Sequence, residues 1–144
     1  MRFMIIVKAT KETEAASAPD EGIDNPEKVM AEMAVYHEEL ANAGALLDAS
    51  GLHPSSKGWR IRYSGKKRTV IDGPFPETKE VIAGFTLIKV KSRAEALDWA
   101  RRFPNPAGDG TDAEIEVRQL FELEDFKPSE AVERFRELEA VTKK

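Results

Sequence analysis

The chain contains no cysteine, which excludes a disulfide framework and thiolate chemistry. It has only two histidines, His37 and His53, and no cluster with metal-ligand spacing, so no metal or other cofactor is implied. A Gly-rich phosphate loop and a G-x-S-x-G elbow are both missing. No apolar run approaches the ~18 residues that a membrane span needs. The opening MRFMIIVKAT is broken by Lys8 and followed by no small-residue cleavage site, so it reads as a strand and not a secretory signal. A cytoplasmic location without a membrane partner is the expectation. An excess of basic charge is also lacking. The formal net charge of −4 leaves no basic stripe of the kind nucleic acid requires.

What is present describes one globular domain. A chain of 144 residues, 41% hydrophobic and 33% charged, can bury about 70% of the surface its unfolded form exposes. Residues 2–9, RFMIIVKA, are apolar at both alternating sets of positions, the pattern of a central strand buried on two sides. Residues 10–24 have few large apolar side chains and several turn formers, and read as a mobile loop able to close over a site. Asn25-Pro26 then offers an N-cap and a proline at the first helical position. Val29, Met30, Met33, His37 and Leu40 recur at helical spacing until Gly44.

A strand is expected in ALLDASGLHP, followed by a hairpin in which GWRIRYS and KKRTVID flank Gly65. VIAGFTLIKV is the second run that is apolar on both faces. Ser92 and Glu95 form a capping box for a helix through Phe103. AEIEVRQLFE alternates strictly, and PSEAVERFRELEAVTKK closes the chain as a modestly amphipathic helix with Val132, Phe135 and Leu138 in register.

The order β, α, β, hairpin, β, α, β, α is a ferredoxin-like α+β arrangement with an inserted hairpin and a C-terminal helix. Its two helices cover only one face of the sheet, so the doubly apolar strands need a second cover. A second copy packed sheet against sheet in a homodimer is one answer, and the C-terminal helix is the other.

The stretch Asp72 to Glu80, DGPFPETKE, combines two prolines and a glycine with charged side chains and one aromatic. Together with the following VIAGF, the preceding GLHPSS and the later IEVRQLFE, it resembles the DGPF group of the YCII-related proteins, from Met1 to about Glu122. The resemblance implies a YCII-like domain over residues 1–123 and a helical extension over 124–144. It further implies a dimeric ferredoxin-like α+β barrel of bacterial origin, with a cleft beside the sheet and a biochemical role unestablished in the family. Some relatives are encoded beside sigma factors of the extracytoplasmic-function type. A His and Asp pair proposed as catalytic in another branch has no matching local motif here, so no role is carried over from it.

The residues themselves supply the candidates. His53 precedes Pro54, which favours extended geometry, and its near-neutral pKa suits proton transfer with Asp72 or Glu77 orienting the ring. His53 and Asp72 are therefore the catalytic candidates, and Glu77, Lys79, Arg118 and Tyr36 are the candidates for binding substrate. Each has an ordinary structural reading beside it. Asp72 suits the pinning of a turn, and Glu77, Lys79 and Glu80 suit a solvated loop. Glu116 and Arg118 share one strand face as an ion pair. His37 belongs to the apolar helix stripe, packed or facing a partner, with Tyr36 one position round and its hydroxyl toward the cleft. The leading expectation is a small polar ligand bound beside the DGPF loop, with acid–base chemistry. The alternative is a noncatalytic accessory protein associated with a sigma factor.

Overall fold

A computed structural model describes residues 1–142. The final Lys143 and Lys144, assigned above to the closing helix, lie outside the described residues. The strands are β1 (Arg2–Lys8), β2 (Leu46–Gly51), β3 (Trp59–Ser64), β4 (Lys67–Asp72), β5 (Ile82–Lys89) and β6 (Ile115–Gln119). The helices are α1 (Lys11–Glu14), α2 (Pro26–Asn42), α3 (Arg93–Arg101) and α4 (Glu130–Thr142). Four strands form an antiparallel sheet in the order β2-β5-β1-β6. The two runs that are apolar on both faces thus become its two central strands. This topology is consistent with a ferredoxin-like α+β fold. The hairpin β3–β4 is inserted between β2 and β5 and pairs only with itself.

One sheet face is covered by α2 and α3. Phe3, Ile5 and Ile88 pack there against Tyr36, Leu40, Ala96 and Trp99, with Ile115 and Val117 of β6 at the margin. Alternation sends Met4 and Ile6 of β1 and Phe85 and Leu87 of β5 to the opposite face, where they are half-buried. The C-terminal helix, expected as one cover for that face, packs chiefly against the turn at Leu123–Asp125 and leaves Phe135, Leu138 and Val141 exposed. No helix among the described residues is long and apolar enough to cross a membrane.

Four local expectations need correction. Residues 10–24 are not wholly irregular, because Thr10 caps the single turn α1 by accepting from the Thr13 amide at 3.1 Å. Asn25 does not cap α2 with its side chain. It takes the left-handed conformation (φ 48°) and starts the helix through its carbonyl, which accepts from Lys28 and Val29. The buried stripe of α2 is also rotated from the expected one. Met30 is 69% exposed, whereas Tyr36 is 3% exposed, because its ring fits edge-on against Trp99 and Phe103 at centroid distances of 5.9 and 5.1 Å. At α3, the Glu95 amide donates to Ser92 Oγ as expected, but the reciprocal bond to the Glu95 carboxylate comes from the Lys91 amide.

Candidate functional site

The DGPF loop begins where β4 ends. The Gly73 amide donates to the Gly58 carbonyl at 3.0 Å, drawing the loop onto the turn that follows β2. A Cβ at Gly73 would stand 1.8 Å from the Ser55 carbonyl oxygen, so no larger residue fits without displacing backbone. The Gly73-Pro74 peptide is cis. Beyond it, the Phe75 amide donates to Ser55 Oγ at 3.0 Å, and the Arg60 guanidinium lies 3.8 Å from the centroid of the Phe75 ring, within cation–π range.

Ser55 joins this loop to the start of the chain. Its amide donates to Glu14 Oε1 at 2.9 Å and its hydroxyl donates to Glu14 Oε2. A serine hydroxyl has one proton to give and lone pairs to receive, so Ser55 Oγ serves Glu14 and Phe75 at once. Three segments distant in sequence are thereby fixed together at the end of the sheet where β1 and β2 finish and β5 starts. Neither Glu14 nor Ser55 was singled out by sequence reasoning. Ser55 stands inside the GLHPSS stretch, a usable signal, while Glu14 lies in a segment that gave none.

His53, Asp72, Glu77 and Lys79 are all exposed around this junction, and none of their side chains has a hydrogen bond, ion pair or ring contact with another described residue. His53 therefore makes no bond to Asp72 or Glu77. Tyr36 does not offer its hydroxyl to a cleft. It donates to the Trp99 carbonyl at 2.7 Å inside the core, and burial pushes its pKa up to about 12. Arg118 pairs with Glu116 at 3.3 Å, on the sheet face away from the helices, with Lys8 at 3.9 Å from the same carboxylate. Because β2 and β6 are the two sheet edges, Arg118 and the turn carrying His53 and Ser55 stand on opposite edges of one chain.

His37 is a packing residue. Its Nδ1 lies 2.7 Å from the Met33 carbonyl, which can only accept, so Nδ1 donates there, and its Nε2 shares a hydrogen bond with the Thr86 hydroxyl at 2.8 Å. Two surface concavities lie elsewhere. One of about 400 Å³ is bordered by Lys28, Glu32, Tyr36 and Arg102. The other, of about 480 Å³, is bordered by Thr10, Glu12, Asp24 and Asp112. Neither is lined by the DGPF loop. Among the described residues, no group of three or more His, Asp or Glu side chains is arranged to hold a metal ion.

Two comparisons with known proteins bear on this arrangement. Residues 1–123 match the family model of the YCII-related domain, so the loop, Ser55 and Glu14 all fall inside the matched region. An uncharacterized protein of Rhizobium meliloti (strain 1021) is 36% identical over 97 residues, which cover 67% of this chain and 77% of that protein.

Proposed function

The chain belongs to the YCII-related family, and from that premise we propose that it binds a small polar molecule against the DGPF loop, with His53 and Asp72 available for proton transfer. The observation that carries the reading is the contrast between the loop's support and the side chains around it. Gly73, Phe75, Ser55 and Glu14 are locked by backbone approach and hydrogen bonds. His53, Asp72, Glu77 and Lys79, on and next to the loop, are exposed and carry charge or a titratable ring that no other described residue engages. A fixed backbone support lowers the cost of ordering such side chains around a ligand. Glu77 and Lys79 are the binding groups of this site. Arg118 belongs to the open face of the sheet and enters only through a second copy. A homodimer with the sheets facing inward is part of the same proposal, because it covers Met4, Ile6, Phe85 and Leu87.

An unbiased metabolite screen by ligand-observed NMR, with thermal melts, tests the site. A polar hit should raise the melting temperature of the wild type. His53→Gln and Asp72→Asn should melt close to wild type without ligand, since neither side chain has a partner among the described residues to lose, and should lose the ligand-induced shift. A hit that binds both variants as well as wild type removes the site from this loop. A screen with no hit on folded protein favours the noncatalytic accessory reading instead.

A further inference from the structure

Two elements of this chain expose apolar surface that the described structure does not cover, and they carry opposite charge. In the hairpin β3–β4, Trp59, Ile61 and Tyr63 alternate on one face and meet Val70 across the ladder. All four are exposed, Trp59 and Tyr63 by 64% and 65%. A two-stranded ribbon is at best marginally stable alone in water and needs a third layer against its apolar face. The same hairpin carries Arg60, Arg62, Lys66, Lys67 and Arg68 against the single acid Asp72. In a chain of net charge −4, this is a local inversion of sign. Its tip is well formed, with Gly65 at φ 60° in the first position of the two-residue loop. Arg68 stays on the apolar face, over the Tyr63 ring at 4.9 Å.

Helix α4 has the complementary character. Phe135, Leu138 and Val141 recur at three-residue spacing, and all three are exposed. Glu130 and Glu137, seven residues apart, run along one border of that stripe and make no ion pair with another described residue. Of the two arginines in α4, Arg136 is engaged by Glu124 and Glu133, leaving Arg134 as the opposing charge on this side. In the preceding turn Glu122 is paired with Arg2 and Glu124 with Arg136, so Asp125 alone adds an acid there that is in no ion pair with another described residue.

We propose that the basic, aromatic hairpin β3–β4 of one protomer docks on the acidic, apolar face of α4 of a second copy, so that two protomers clasp each other reciprocally. This rests on the homodimer proposed above and goes beyond it by naming a second contact, outside the sheet face, with its own charge code. Burial of Trp59, Ile61 and Tyr63 against Phe135 and Leu138 supplies the attraction. The Lys66 and Arg68 side of the hairpin facing Glu130 and Glu137 sets the pairing.

A charge-swap experiment on full-length protein tests it. One variant carries Lys66→Glu with Arg68→Glu, and the other carries Glu130→Lys with Glu137→Lys. All four side chains are exposed, and circular dichroism checks that each variant is folded. Light scattering at a dilution series reads the dimer. Each variant alone should dissociate at concentrations at least about tenfold higher than wild type, because like charges then face each other in both contacts. Mixing the two variants should restore dimerisation as a heterodimer, since both of its contacts pair opposite charges. A wild-type protein that is monomeric throughout overturns the dimer and the clasp together. A wild-type dimer from which neither variant differs overturns the clasp alone. Rescue by combining all four substitutions in one chain, without rescue on mixing, places the contact within a protomer and also overturns it.

Discussion

Ser55 and Tyr36 are two hydroxyls whose surroundings decide their roles; Ser55 was not singled out in the sequence, and Tyr36 was expected to turn its hydroxyl toward a cleft. Ser55 is 7% exposed and holds Glu14 and Phe75 together, a role set by a partner 41 residues earlier that no local pattern announces. Tyr36 was placed on a cleft because it stood one position off the expected stripe. A small rotation of α2 put it in the core instead. Its consequence is measurable in alkali. The unfolded chain releases this phenol proton near the ordinary value of 10.0, whereas the folded protein holds it to about 12, so the folded state binds more protons in that interval. Stability contributed by the neutral phenol is fully present below pH 10 and is lost as pH rises through about 12. Denaturant melts at pH 9 and above should show this fall in wild type, and a shallower one in Tyr36→Phe. At neutral pH the substitution should cost only about 1 kcal/mol, the net value of a typical hydrogen bond, because the Trp99 carbonyl also accepts from the Arg102 amide at 3.2 Å. An unchanged alkaline slope in the variant would move the effect to other groups.

At the scale of elements, legibility followed periodicity. The strands that became β1 and β5 were read from being apolar on both faces, and the hairpin from Gly65 between two alternating runs, because these signals are local. Gly73 was legible as part of a turn, but its contact with the Ser55 carbonyl depends on a segment that folds alongside it. Within the 10–24 segment, which is turn and bend outside α1, the short helix was the part not read. Its composition is that of a loop, and an isolated four-residue helix is far below the length that is stable in water. Here the Glu14 carboxylate fastens α1 to Ser55. Glu14→Ala should therefore release the whole segment. Limited proteolysis and amide exchange should speed up across residues 10–24, and the Phe75 amide should lose protection as Ser55 Oγ gains freedom. Global stability should fall by about 1–3 kcal/mol, the range for a hydrogen-bonded charged group. Proteolysis unchanged at 10–24 would mean that other contacts, such as the Asp24 amide to the Ala107 carbonyl at 2.9 Å, hold the segment unaided.

At the scale of the whole molecule, the decisive feature is the apolar sheet face. Two helices occupy one side of four strands, and Met4, Ile6, Phe85 and Leu87 point to the other, where Glu116 and Arg118 of β6, with Lys8 at the end of β1, form a charged margin. An apolar centre with a polar rim is the composition of a protein interface. The helix expected to compete for this place has its own apolar residues in solvent, which leaves a second copy as the cover the proposal requires. Ile6 sits on the central strand β1, paired with Phe85 and Glu116, so it is the position most sensitive to charge. Ile6→Lys would find Glu116 opposite, a neutralising partner, whereas Ile6→Glu adds a second carboxylate beside the first. In a closed interface an unpaired carboxylate costs several kcal/mol. At the surface of a monomer it is solvated and nearly neutral in effect. Wild type should therefore scatter light as a dimer at micromolar concentration. Ile6→Glu should be monomeric there with its helical content intact, and Ile6→Lys should fall between the two. Equal dimer dissociation constants for all three proteins would mean that the sheet face is not the interface. Any dimer seen would then have to be held elsewhere on the surface, the hairpin and α4 included.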